Sequence, residues 1–466
     1  MQWTEQVTQT ISVHQKFTVQ LENVRDRDKL TYSLARFVGT VTPKPSSQST
    51  KLMLHNTATG SSLSYPIADG FFKAYITLSP GGNNLEFRIE GRKVHGITLE
   101  FSIPARDRFI RLVYVRCKDD DGRFQAPEWE DDSAESAKRR VILGAQLLQM
   151  FVAEKMREAG HGRRTIHFES DADGVPVCHD HETRLSMQDA HGFKDPNTFF
   201  RHLAKELVRS NFKNKDPAVC KWLVFTSFTR YMKPHDAPAP QNHTEAEQYM
   251  KGHVVLGGGG LAIMSTAGLH TWPERVEELY DRLTDERLID SHNLMPIAWN
   301  WKPFHCNCFS ASLGATIHEV GHTLNLAHSK QGIMRYGFVD LRNFLIDRDD
   351  GRAFWEDYQA DFLRYHKWLN DGSIENDQKG PRLIEGNRIW SKHGLRSVQV
   401  WLKQEVVQRW CLSDTPNTFS MDEHLHEVRD ILSSTFQTRA PDGKVKLVAI
   451  DSLGNIMEKR WLLPVD

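Results

Sequence analysis

His318-Glu319-Val320-Gly321-His322-Thr323-Leu324-Asn325-Leu326-Ala327-His328 places three imidazoles and one carboxylate within a few turns of chain. Positions i and i+4 of a helix share a face, so His318 and His322 reach one ion from the same side. The neighbours Ala311, Leu313, Ala315, Ile317, Leu324 and Leu326 are helix-forming or core material, and they predict a buried helix. Neutral imidazole nitrogen is a zinc donor, and three protein ligands leave the fourth tetrahedral position for water. Glu319 follows the first ligand directly, the place of a general base rather than of a ligand. Zinc lowers the pKa of coordinated water toward ~7, where a carboxylate completes the deprotonation.

The third ligand has to come from where the helix stops. Asn325 is the expected breaking point, because Asn is one of the few non-glycine residues that tolerates the left-handed conformation ending a helix. A turn there swings His328 back toward His318 and His322. The expected centre is one Zn2+ held by His318, His322 and His328, with Glu319 as base. A structural zinc site uses the same ligands but leaves Glu319 unexplained.

Working outward, 466 residues exceed the roughly 250–300 that one core usually serves, so two or three domains are expected. With 39% hydrophobic and 26% charged residues the composition is globular, and a net charge of -1 gives no bulk attraction for nucleic acid or anionic membrane. No run approaches the length of a transmembrane span, and the N-terminal stretch lacks the pattern of a signal peptide. Cys117, Cys178, Cys220, Cys306, Cys308 and Cys411 are mostly scattered and form no disulfide framework. These features lead to the expectation of a cytoplasmic or nuclear protein with a peptide or protein substrate and no nucleic-acid or membrane partner. Oligomeric state is not legible.

Residues 1–118 read as strands with turns between them, an N-terminal β-sandwich-like domain. Within it, alternation over 72–78, a turn at 79–84 and a strand at 85–89 predict a hairpin. From 119 to 370 the texture is mixed. Helices are expected over 133–158, stopped by Gly160-His161-Gly162, over 198–208 and over 273–286. A buried strand is expected at 222–228, and a Pro-rich surface loop at 233–249. The last segment, 371–466, alternates again and reads as β-rich. The expected fold is multidomain α+β, with a catalytic domain between β-rich flanks.

His318 to His328 resembles the H-E-x-x-H-x-x-G-x-x-H signature of the metzincin zinc peptidases, and Gly332-Ile333-Met334-Arg335-Tyr336-Gly337 resembles their Met-turn. The resemblance implies a zincin-like catalytic domain for 119–370. It also implies Met334 packed beneath the histidines and Tyr336 stabilising the tetrahedral intermediate. Two departures stand out: Asn325 replaces the usual glycine, and the loop from His328 to Met334 is very short. The whole chain resembles a family of fungal and other eukaryotic zinc metallopeptidases. Its marks here are Gly162-Arg163-Arg164-Thr165, the glycines 257–260 and Trp272-Pro273. Some members carry a C-terminal jacalin-like domain, for which the chain after the catalytic part is short.

Gly257 to Gly260 lacks the Lys-Ser/Thr of a phosphate loop. It suggests a close backbone approach at the cleft, with Gly259, Gly260, Leu261 and Ala262 as an edge that takes substrate as an added strand. A bulge or turn is the alternative. Cys306 and Cys308 read as buried structural cysteines, with a redox pair or a zinc-blocking thiol as alternatives. The aromatic run from Trp355 to Trp368 reads as a packing helix. Three activities fit the motif: a peptidase, a zinc hydrolase of non-peptide amides or esters, and a binding protein with a vestigial site.

Overall fold

The computed structural model describes residues 16–105, 107–297, 302–370, 380–436 and 444–463. The chain divides into two compact units, Met1–Lys29 with Ala35–Phe101, and Leu30–Leu34 with Ser102–Asp466.

The first unit is built from two sheets. One has the order Thr18–Leu21, Leu34–Thr42, Phe71–Thr77; the other has the order Lys29–Leu30, Arg92–Phe101, Gly81–Ile89, Lys51–Asn56, Ser62–Pro66. Phe37 and Phe72 of the first sheet meet Phe87 of the second, with ring centroids 5.4 and 6.3 Å apart. The hairpin expected across 79–84 does not form. Phe71–Thr77 and Gly81–Ile89 belong to different sheets, so the chain crosses between them. Asn83 pins that crossover: its amide donates to the Ser79 carbonyl at 2.8 Å, and its side-chain oxygen accepts from the Ser79 N–H at 3.0 Å. The real hairpin joins Gly81–Ile89 to Arg92–Phe101 through Glu90 and Gly91, at φ 50 and 75. Two central residues at positive φ give the turn a twist that matches paired strands.

The second unit centres on a five-stranded sheet of order Cys178–Glu182, Phe109–Arg116, Cys220–Thr226, Leu261–Ser265, Leu256–Gly258. The first four strands run parallel and the last is antiparallel. The middle strands read as continuous apolar runs because both faces are covered. On one face Val113, Val115 and Val224 meet Phe199, Leu203 and Leu207 of the helix Pro196–Arg209. Side chains of the next residue point the other way. There Phe225 packs on Trp272, which lies against Gly144 of the helix Ala134–Glu158. That helix starts where Ser133 accepts a bond from the Ser136 N–H and stops before Gly160 at φ 80. The helix His305–Thr323 crosses Leu256–Gly258 and Leu261–Ser265.

Two other expectations change. The stretch 273–286 is not one helix but two short pieces, Val276–Glu278 and Leu279–Leu283. The loop 233–249 is closed at its base by pairing of Arg230–Tyr231 with Met250–Lys251 and carries the short helix His243–Glu247. That helix lines a cavity, so the loop is more than surface.

The boundary expected at 370–371 adjoins 371–379, which lies outside the described residues. Beyond it comes an antiparallel sheet of order Glu405–Cys411, Leu395–Leu402, Lys444–Asp451, Ile456–Leu462, covered by Val428 and Leu432 of the helix Leu425–Phe436. It falls in the same unit as the helix His305–Thr323. Among the described residues no helix is long and apolar enough to cross a membrane.

Candidate metal centre

The helix His305–Thr323 is buried on nearly all sides, so its register is fixed by what it touches. It ends in a Schellman motif. The Leu326 N–H donates to the Gly321 carbonyl at 3.1 Å and the Asn325 N–H to the His322 carbonyl at 3.2 Å, with Asn325 at φ 59. The αL residue turns the chain, and His328 arrives beside the first two histidines. The candidate donor nitrogens of His318, His322 and His328 all lie within 4.8 Å of one another.

The hydrogen bonds fix which nitrogens face the common point. His318 Nδ1–H donates to the Ile333 carbonyl at 2.8 Å, and His322 Nδ1–H donates to the Leu326 carbonyl at 2.8 Å. A carbonyl only accepts, so both protons sit on Nδ1 and both Nε2 atoms carry lone pairs. Those two Nε2 atoms stand 3.1 Å apart, with no proton to share between them. A tetrahedral ion with Zn–N bonds of ~2.05 Å spaces its ligand atoms ~3.3 Å apart. The donor set therefore fits zinc. Burial also keeps the donors neutral: it pushes His318 down to about 3 and His322 down to about 4, and it lowers His328.

Met334 is fully buried, and its Sδ would lie 2.5 Å from a Cβ placed on Gly321. The thioether thus sits against the helix backbone at Gly321, next to His322 in the chain. The short loop from His328 closes because Gly332 adopts φ 77, where a Cβ would meet the Phe354 carbonyl at 2.5 Å. Tyr336 follows on the same turn, 42% exposed, with the Arg335 guanidinium 5.0 Å from its ring centre.

Glu319 is buried and lines a cavity of about 280 Å³ with His318, Ala315, Leu269, Met264 and Phe338. Burial pushes its carboxyl up to about 7, against a hydrogen bond from the Gly257 N–H. The strand and helix touch so closely there that a Cβ on Gly257 would lie 2.2 Å from the Glu319 carbonyl oxygen. This is the close approach expected of the glycine run, but the substrate edge needs correction. Leu261 and Ala262 lie in an inner strand, hydrogen-bonded to Cys220–Thr226 on one side and Leu256–Gly258 on the other. Gly259, at φ 59, and Gly260 form the turn. The edge is Leu256–Gly258, one strand over.

Sequence reading missed several parts of the centre. The Ile333 and Leu326 carbonyls orient the His318 and His322 imidazoles but belong to no residue type that signals a site. His243, Glu247 and His253 also line the cavity, from a segment whose polarity resembles a loop. Lys221 is buried, and its ammonium donates to the Thr323 carbonyl at 2.5 Å and the Gly259 carbonyl at 3.1 Å. It ties the end of the helix to the glycine turn. Cys306 and Cys308 are buried free thiols in the first turn of the helix, and burial pushes Cys308 up to about 12. Cys306 lies twelve residues before His318, ~18 Å along the helix at 1.5 Å per residue, too far to block the metal.

Acid stability follows from these groups. His270, His318 and His322 are held neutral, at about 3, 3 and 4. Unfolded imidazoles bind a proton near ~6.5, so between ~6.5 and ~4 the unfolded chain holds more protons and stability rises with pH. Glu319, raised to about 7, works the other way between ~4.5 and ~7, but it is one group against three. The metal-free protein is expected to lose a few kcal/mol from pH 7 to pH 4, on the order set by these shifts. Melting temperature against pH measures it, and a flat profile would refute the neutral buried imidazoles.

A Saccharomyces cerevisiae protein named putative zinc metalloproteinase is 27% identical over 301 residues, 61% of this chain and 43% of its own length. One of the same description from Schizosaccharomyces pombe is 24% identical over 294 residues, 58% of this chain and 44% of its own. The chain thus spans less than half the length of either relative. Among solved structures, catalytically inactive OgpA from Akkermansia muciniphila in complex with an O-glycopeptide substrate superposes with a TM-score of 0.44 at 13% identity, over 76% of this chain and 92% of that one. A likeness of that size carries no argument about chemistry. The match that decides membership runs over residues 18–353, and through it the chain belongs to the family described as "Putative peptidase family" (Metallopep).

Proposed function

We propose that the chain is a zinc-dependent endopeptidase of metzincin-like type. The observation that carries this reading is a buried carboxylate, Glu319, on the wall of the same cavity as His318, whose donor nitrogen lies within 4.8 Å of those of His322 and His328. Zinc held by His318, His322 and His328 would supply Lewis acidity, lowering the pKa of water and polarising the scissile carbonyl. The protein's own groups do the rest. Glu319 takes a proton from the attacking water as the oxygen–carbon bond forms. It then returns that proton to the amine nitrogen as the carbon–nitrogen bond breaks. The Gly257 N–H holds the carboxyl in place.

Other features support a peptide as the substrate. Leu256–Gly258 is an antiparallel edge strand beside the helix, which suits addition of an extended chain. The cavity bordered by Glu319 and His318 has room for one substrate side chain next to the bond that is cut. The position of Met334 and the αL turn at Asn325 support the metzincin-like type. Tyr336 is the hydroxyl assigned to the developing oxyanion.

The test is cleavage of a diverse peptide mixture by zinc-loaded protein and by protein stripped with a chelator. Cleavage is expected only with zinc, with restoration on re-addition and with new amino termini at internal positions. Zinc-loaded protein that hydrolyses small esters or acyl amides but no peptide would sink the endopeptidase reading and favour a non-peptide hydrolase.

A further inference from the structure

We propose that the C-terminal sheet is part of the metal centre, because it positions the third ligand. His328 lies beyond the end of the helix, so no helical hydrogen bond places it. Instead its N–H donates to the Gln404 carbonyl at 2.7 Å, and its own carbonyl accepts from the Val406 N–H at 3.3 Å. It pairs as a parallel bridge with Glu405. Gln404 belongs to the tight turn between Leu395–Leu402 and Glu405–Cys411, held by Lys403 at φ 57.

Two further ties reach the same segment. Asn325, the residue that turns the chain, donates from Nδ2 to Glu458 Oε1 at 2.7 Å, and Lys446 steadies Glu458 from the neighbouring strand at 3.1 Å. Arg335, next to Met334, pairs with Glu405 at 3.2 Å. The sheet therefore grips the turn before the ligand, the ligand itself and the turn after it. Among the described residues no hydrogen bond holds the His328 ring, so its direction rests on this backbone. Residues 404, 405, 446 and 458 all lie beyond 353, where the family match ends. The part of the chain that defines the family supplies the ligands, and the part outside it sets the geometry of the third one.

This inference rests on the zinc reading of the three histidines. Ligand-orienting contacts typically carry 10–100-fold in metal affinity. The test uses the full chain and zinc alone, with affinity read by competition against a chromophoric chelator. Glu458→Ala removes the acceptor for Asn325 and is expected to weaken zinc binding by about 10-fold. Glu458→Gln keeps an acceptor oxygen and is expected to stay within about 3-fold of the parent, below that range. Melting of the metal-free proteins separates positioning from folding, and the expected values agree within a few degrees. Equal zinc affinity in Glu458→Ala and the parent would overturn the proposal. So would equal weakening in both variants in step with lost metal-free stability. A parent that binds no zinc would overturn the reading of the centre itself.

Discussion

Glu319→Gln is expected to keep its zinc and lose cleavage by about 10²–10⁴-fold, the usual worth of a positioned general base. The amide has the shape of the carboxylate and still accepts from the Gly257 N–H, so the geometry of the strand and helix is kept. What disappears is the ability to take and return a proton. A second signature separates this from damage to the fold. At pH 8 the buried carboxyl is above its raised value of about 7 and is ionised, which burial opposes. Gln carries no charge there, so the metal-free variant should melt at the parent temperature or above it at pH 8. Zinc stoichiometry, single-turnover cleavage and melting measured together test the assignment. Activity within tenfold of the parent would remove Glu319 from the role of base.

Gly257→Ala is expected to cost about 10²-fold in activity, the scale of a misplacement of about 1 Å at a reacting group. The added Cβ would stand 2.2, 2.8 and 2.9 Å from the carbonyl oxygen, carbonyl carbon and Cα of Glu319. All three are backbone atoms, so no rotamer relieves the contact. The edge strand and helix must part by about 1 Å to reach ordinary van der Waals distance. Overpacking of this kind costs about 1–3 kcal/mol, which a melting curve resolves. Gly258→Ala, one residue on, is the control, because a Cβ there meets nothing within 4 Å. The pair should differ sharply in cleavage. Similar behaviour would mean that the strand is free to slide on the helix.

Much of the centre was legible because its residues obey local rules. The i, i+4 spacing of His318 and His322 needs only a helix. Asn325 was readable because αL tolerance is a property of the residue itself, and it stands at φ 59. The glycine run announced a close approach, but which residue makes it depends on register against a helix some sixty residues away. Leu261 and Ala262 looked like an edge because the sequence carries alternation and not strand order. The same limit applies to the hairpin expected across 79–84. Two strands separated by turn residues look alike whether they pair or cross to opposite sheets.

The sequence by itself determined the three histidines, the carboxylate beside the first of them, the breaking point of the helix and the buried strand observed as Cys220–Thr226. These depend on residue chemistry and on contacts within a few positions, which the chain states directly. Tertiary structure decided what surrounds them. It brought the Ile333 carbonyl to the His318 imidazole and the Gly257 N–H to the Glu319 carboxylate. It set His243 and Glu247 on the cavity wall and the Gln404 carbonyl on the His328 N–H. Those partners are mostly backbone groups, identical in every residue type, and only the packing of distant elements determines which of them meet a given side chain.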